Sequence, residues 1–157
     1  FKEKNLNTSI SLILMNYGPD LIKTKKLIEK LNLKKEVVLL KRQPRINILY
    51  MMKLSDIVCT QFKNSWLSYG VIFEALAMSK IVMAYRNDNL YKKNYKSLYP
   101  IINVNKPEKI NHHLSKYIEN KSKYLGMGKK GRKWYMKFCV RQTFKKYISY
   151  FNDIKKK

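Results

Sequence analysis

The chain has 157 residues, which is long enough for one domain with a buried core. Its hydrophobic share, 45%, is too high for a disordered chain. Its 34 Lys and Arg residues against 10 Asp and Glu give a formal charge of +24, which favours nucleic acid, anionic lipid or phosphorylated ligands as partners. Only five of the basic residues are arginine, the side chain that base-reading sites prefer, so we interpret most of the charge as a solvated lysine surface. Attraction to an anionic membrane is kept as the alternative.

Short apolar runs alternate with helical patterns along the first two thirds of the chain. The apolar runs predict five strands, at 9–16, 36–40, 56–62, 81–85 and 101–104. Helical spacing predicts helices from 21 to about 32, over 46–54 and over 70–79, and the polar stretch 86–99 predicts a long loop. After Pro107 we expect three helices, at about 108–119, 122–138 and 141–154. This alternation is typical of a Rossmann-like α/β fold, in which helices cover both faces of a parallel sheet.

Four loops of the predicted fold follow the carboxyl ends of strands, where ligands bind in such sheets. These loops are 17–20, which contains Gly18, then 41–45, 62–69 and 86–99. The loop 41–45 carries Arg42 and Gln43, and Arg42 either contacts a ligand phosphate or is a solvated loop residue.

Glu74 is the one acidic residue in the otherwise apolar stretch "SYGVIFEALAMSKIVMA", residues 68–84. Burying a carboxylate is costly unless it is hydrogen-bonded. Gly70 begins the predicted helix, whose first N–H groups and positive dipole end attract anions, and Glu74 lies one turn further on the same side. This pattern suits a phosphate linked to a hydroxyl-bearing ring, with the carboxylate accepting two hydroxyl hydrogen bonds. The alternative is a solvent-facing glutamate paired with a lysine.

Two aromatic residues, Trp66 and Tyr69, precede this helix. They either shield the core or stack on the base or sugar of a ligand, and the sequence favours neither interpretation.

We expect no metal site. His112 and His113 are adjacent, so on a helix their side chains point about 100° apart. Cys59 and Cys139 are far apart in sequence and have no metal-ligand spacing, which is typical of reduced thiols in a cytosolic protein.

The stretch "YGVIFEALAMSKIVMA" resembles the nucleotide-sugar signature of the retaining, GT-B-fold glycosyltransferases of group 1, also called family 4. Further segments resemble that family in its own order: "LILMNYGPDLIKTKKLIEKLNLKKEVVLL", "LSDIVCTQF", "LYPIINVNKPEKI" and "GMGKKGRKWYMKF". The resemblance covers nearly the whole chain.

The resemblance implies roles for residues around the predicted 70–79 helix. Glu74 corresponds to the second glutamate of an E-x7-E pair, the one that binds both ribose hydroxyls of the donor. The donor diphosphate would be held by the segment Ser68, Tyr69, Gly70 and Val71, with backbone N–H groups around the last two. The loop from Lys41 to Gln43 would lie beside the base.

The sequence also departs from the family pattern. Trp66 stands eight residues before Glu74, where the family has the first glutamate of the pair, a contact to the transferred sugar. Ser79 and Ile81 replace the Gly and Pro of the family's "GxPV". We therefore expect ribose and phosphate recognition to be retained better than sugar recognition.

The resemblance implies that residues 1–157 form a single C-terminal, donor-binding domain, from which the amino-terminal acceptor domain and the first strand–helix unit are absent. The implied reaction moves a sugar, with retention, from a nucleoside-diphosphate sugar to a lipid-linked or glycan acceptor in glycan biosynthesis. No metal or other cofactor is expected, because the helix N-terminus and basic side chains offset the charge of the leaving diphosphate. Alone, the chain is expected to be inactive.

The expected location is the cytoplasm, with a peripheral contact at the inner face of an anionic membrane as the alternative, and nucleic acid is not an expected partner. Two other functions remain open: a basic module that binds nucleic acid or an anionic surface, and an inactive relative, which Trp66 motivates.

Overall fold

A computed structural model of the chain describes residues 10–67, 69–93 and 96–155. The chain divides into two units, Phe1–Leu49 and Tyr50–Lys157.

The first unit contains two parallel strands joined by a helix. Strand β1 (Leu12–Met15) pairs in parallel with β2 (Val37–Leu40), and α1 (Leu21–Lys30) connects them. Helix α2 (Arg45–Leu54) follows, and the boundary between the units falls within it. The predicted start of the first strand, at residue 9, lies outside the described residues.

The second unit contains three parallel strands in the order β3-β4-β5. Its elements are, in chain order, β3 (Ile57–Cys59), α3 (Gly70–Ala77), β4 (Ile81–Ala84), α4 (Asp88–Lys92), β5 (Ile102–Asn103), α5 (Pro107–Glu119), α6 (Lys121–Tyr135), a π-helical segment (Met136–Arg141) and α7 (Gln142–Lys155). All four residues of β4 are buried, as expected for a central strand that is covered on both faces. Parallel strands flanked by helices confirm the predicted α/β class.

The core of the second unit is built on strands β4 and β5 and helices α5 and α6. Its buried members are Ile81, Met83, Ile102, Val104, Tyr117 and Tyr124. The rings of the last two, on α5 and α6, meet edge to face with centroids 5.6 Å apart. The core therefore holds the carboxyl ends of β4 and β5 in a fixed position.

Two predicted segments were wrong in detail. The stretch 86–99 is not a continuous loop, because it contains the single-turn helix α4. The break expected between 138 and 141 is absent, since the π-helical segment joins α6 to α7 without an intervening loop.

Helix α3 ends in a left-handed turn at Ser79, whose φ is 60°. The Ser79 N–H donates to Leu76 O at 3.0 Å, and the Lys80 N–H donates to Ala75 O at 2.8 Å. These two bonds form a Schellman motif, in which glycine is the preferred residue at the left-handed position. Ser79 occupies the position of the glycine in the family's "GxPV" pattern, and the left-handed backbone conformation that favours glycine there is retained in this chain.

We expect Ser79→Gly to raise the free energy of unfolding by about 0.5–1 kcal/mol, because a left-handed conformation strains any residue that has a Cβ. Asn32, at the equivalent position after α1, has a φ of 51° and is the matched control. Asn tolerates this conformation, so Asn32→Gly should change stability less. Urea unfolding of both variants measures the difference, and an equal response would contradict the assignment of strain to Ser79.

Among the residues that the structure describes, no helix combines the length and the apolar character needed to cross a membrane.

Candidate functional site

The N-terminal end of α3 opens at the carboxyl edge of the β3-β4-β5 sheet. Tyr69 is the N-cap, with extended backbone angles, and its carbonyl accepts the N–H groups of Ile72 and Phe73 at 2.9 and 3.3 Å. The preceding amides, of Gly70 and Val71, are those that a helix leaves without an intrahelical acceptor. Gly70 is exposed, and a Cβ built on it would meet nothing within 4 Å. An anion can therefore approach these two N–H groups.

Glu74 lies one helical turn after Gly70, which places both residues on the same side of α3. Its side chain is half-buried, and its Oε2 atom is shielded from solvent. The neighbouring Ala75 and Leu76 are fully buried. The carboxylate is thus set at the boundary between the core and the open end of the helix, unlike a solvent-facing surface glutamate.

The two aromatic residues before α3 lie side by side. The ring centroids of Trp66 and Tyr69 are 5.6 Å apart and the planes are tilted by 44°. The Trp66 side chain is 55% exposed, so it does not shield the core and offers a flat surface next to the start of the helix. Ser68, the remaining predicted residue of this segment, lies outside the described residues.

A buried arginine next to this segment was not identified from the sequence. Arg86 follows β4 and is only 4% exposed. Its Nε donates to the Asp88 carboxylate at 2.7 Å and its Nη1 donates to the Tyr99 carbonyl at 2.9 Å, while the guanidinium lies 4.4 Å from the centroid of the Tyr99 ring. Burial raises the pKa of the Tyr99 phenol. Its hydroxyl donates to the Leu67 carbonyl.

Two further polar side chains lie at the end of β3. Thr60 Oγ1 and Gln61 Nε2 are shielded from solvent and make no hydrogen bond to any residue that the structure describes. Such atoms are uncommon in folded proteins and are often satisfied by a ligand or water. In the sequence, these two residues are visible as a polar pair at the end of the apolar run in "LSDIVCTQF".

The first unit places its three predicted residues after the carboxyl ends of its own parallel pair. Gly18, after β1, is exposed and has a φ of 115°, a conformation that favours glycine. Arg42 is exposed after β2, and the half-buried Gln43 accepts a hydrogen bond from Asn47 Nδ2 at 3.0 Å. Asn16 also belongs here, since its Oδ1 is shielded and has no partner within the described ranges.

No group of three or more His, Cys, Asp or Glu residues within the described part of the chain could hold a metal ion.

The family model described as glycosyl transferases group 1 matches residues 1–134. The chain belongs to this family. No curated protein matches the chain at the sequence level.

Solved structures confirm the fold of this group 1 glycosyltransferase chain. It is similar to Alr3699/HepE of Anabaena in complex with UDP, with a TM-score of 0.67 and 16% identity over 89% of this chain and 41% of that one. The complex of the same protein with UDP-glucose gives a TM-score of 0.66 and 17% identity, over 88% and 40% of the two chains. The complex with UDP and glucose gives 0.66 and 16% over the same shares. The chain therefore has the Rossmann-like fold of a GT-B C-terminal domain and spans about 40% of the length of these structures.

Proposed function

We propose that this chain is the donor-binding half of a retaining glycosyltransferase, in which α3 holds the nucleoside diphosphate of the sugar donor. Glu74 accepts hydrogen bonds from both ribose hydroxyls, and the N–H groups of Gly70 and Val71 bind the diphosphate. In this proposal a separate acceptor-binding domain completes the enzyme.

The position of Glu74 carries this proposal. A half-buried carboxylate one helical turn behind an open helix end is placed to reach a ribose whose own diphosphate is bound at that end. Hydrogen bonds to a charged acceptor contribute about 1.5–3 kcal/mol each, so two ribose hydroxyls bound by Glu74 would supply a large part of the donor affinity.

The structural neighbours support the choice of ligand. Alr3699/HepE is known in complexes with UDP and with UDP-glucose, and this chain is similar to it in fold. UDP is therefore the first probe of the site.

The expected consequence is that UDP raises the melting temperature of the full-length protein and that Glu74→Ala removes most of this rise. Loss of two charge-assisted hydrogen bonds should weaken UDP binding by roughly 100-fold or more. Glu119→Ala is the matched control, because Glu119 ends α5 and forms an exposed ion pair with Lys116. If UDP stabilises the Glu74→Ala variant as much as the wild type, Glu74 does not bind the ribose.

Trp66 favours a second candidate function, donor binding without sugar transfer. Trp66 stands where the family has a glutamate that contacts the transferred sugar, and its exposed ring cannot accept hydroxyl hydrogen bonds. The two candidates differ in turnover: a transferase should hydrolyse its sugar donor slowly or transfer its sugar when acceptor is present, whereas an inactive relative should bind the donor and leave it intact.

The remaining partners follow from the same proposal. The acceptor is a lipid-linked or glycan molecule, and the enzyme acts in the cytoplasm, where its charge of +24 would favour the inner face of an anionic membrane. No metal is required in this scheme, because the α3 N-terminus and basic side chains offset the charge of the leaving diphosphate.

A further inference from the structure

The loop between β3 and α3 is held by the segment that follows β4. The Asn87 N–H donates to Ser65 Oγ at 2.7 Å, and the Tyr91 hydroxyl donates to the Ser65 carbonyl at 3.0 Å. The Tyr99 hydroxyl donates to the Leu67 carbonyl, two residues before the N-cap of α3. Three donors from one segment therefore hold the loop that leads into the first turn of α3, two of them through backbone carbonyls.

Tyr99 is itself held firmly. Its side chain is 1% exposed, and the Arg86 guanidinium both covers its ring and donates to its carbonyl. The ring also meets Phe73 of α3 edge to face, with centroids 6.4 Å apart, and Trp134 of α6 at 5.0 Å. A hydroxyl on a ring fixed on several sides can hold the Leu67 carbonyl in one position.

The Leu67 carbonyl lies close in sequence to the groups proposed to bind the diphosphate. The Tyr69 carbonyl, two residues on, accepts the N–H groups of Ile72 and Phe73 and so closes the first turn of α3. A shift of Leu67 would be passed along the chain to the N–H group of Gly70, because only three peptide bonds join these two residues.

We propose that Tyr99, held by Arg86, is a positioning residue for nucleoside-diphosphate binding: its hydroxyl fixes Leu67 and thereby the direction of the N–H groups at the start of α3. This inference rests on the proposed function and deepens it. Neither residue touches the ligand in this scheme. Removing the Tyr99 hydroxyl should therefore change the affinity for the nucleoside diphosphate, although all residues proposed to contact the ligand are still present.

Tyr99→Phe in the full-length protein tests this directly, since it removes only the hydroxyl. Tyr117→Phe is the matched control, because Tyr117, on α5, is also a buried tyrosine. Its hydroxyl donates to the Asp56 carboxylate at 3.0 Å. Two quantities are measured for each variant: the dissociation constant for UDP, and hydrogen exchange of the Ile72 and Phe73 amides without ligand.

Tyr99→Phe should weaken UDP binding by roughly 3- to 10-fold, the effect of losing one hydrogen bond, and speed exchange of the two amides. Tyr117→Phe should change UDP affinity less than about twofold and leave those amides unchanged. Unchanged exchange in Tyr99→Phe overturns the positioning role, and faster exchange with unchanged affinity overturns its link to the ligand. If the wild type binds none of UDP, GDP and ADP, the proposed function fails and this inference fails with it.

Discussion

Replacing Gly128 by alanine is expected to lower the free energy of unfolding by at least about 2 kcal/mol, although alanine is the better helix former. Gly128 lies on α6, where a Cβ would come within 2.1 Å of the Ser79 carbonyl oxygen and 3.0 Å of the Ser79 carbonyl carbon. Both atoms belong to the backbone of the turn between α3 and β4, so neither can rotate away. The helix or the turn would have to move.

Two other glycines of α6 provide reference values for the stability change caused by a glycine-to-alanine replacement in this helix. A Cβ at Gly126 would meet nothing within 4 Å, so Gly126→Ala should stabilise the protein by about 0.5–1 kcal/mol through helix propensity. A Cβ at Gly131 would lie 2.7 Å from the Leu76 Cδ2 atom, the end of a flexible side chain, so Gly131→Ala should fall between the other two. Chemical unfolding of the three variants gives the order, and a Gly128→Ala variant as stable as Gly126→Ala would contradict the contact.

Replacing Arg86 by methionine is expected to cost about 3 kcal/mol, because it leaves the Asp88 carboxylate without its cation and the Tyr99 carbonyl without its donor. Adding Asp88→Asn to this variant should recover part of the lost stability, since it removes the carboxylate charge that Arg86 no longer neutralises. Arg132→Met is the matched control: Arg132 is exposed and donates to the Ala77 carbonyl at 3.0 Å.

The control should cost less than about 1 kcal/mol, because solvent replaces most of what an exposed arginine contributes. The three stabilities are compared by thermal unfolding at neutral pH. Equal losses for Arg86→Met and Arg132→Met would show that the buried position of Arg86 has no energetic consequence.

The strands and most helices could be predicted because their apolar residues follow the period of the element. The run at 81–85 is apolar throughout, as a strand buried on both faces must be. Helix α5, predicted at about 108–119 after Pro107, has that proline at its first position. Helix α4 was missed because a single turn of "DNLYK" carries too few apolar residues to show a period.

Glu74 could be singled out from the sequence because it contrasts with its surroundings. Glu74 is a charge among apolar residues, and Gly70 precedes it by one helical turn. Arg86 and Tyr99 were not predictable, because the stretch 86–99 reads as a polar loop. Tyr99 packs against Phe73 and Trp134, which come from distant parts of the sequence, and Arg86 packs on the Tyr99 ring. Tertiary packing of this kind leaves no local pattern.

The contact between Gly128 and Ser79 was hidden for the same reason. The segment "GMGKKGRKWYMKF" predicts a helix with three glycines, and nothing in its spacing tells which glycine touches another part of the backbone. The left-handed turn at Ser79 was hidden as well, because serine is an unusual residue for that conformation.

The central claim is that Glu74 binds the ribose hydroxyls of the donor, and a double-mutant cycle tests it most directly. Binding of UDP and of its 2′,3′-dideoxy analogue is measured by calorimetry in the wild type and in Glu74→Ala. We expect loss of the two hydroxyls to weaken binding to the wild type strongly and to Glu74→Ala hardly at all, with a coupling energy of at least about 1 kcal/mol. If both proteins lose the same affinity for the dideoxy analogue, Glu74 does not hold the ribose and the site must be placed elsewhere.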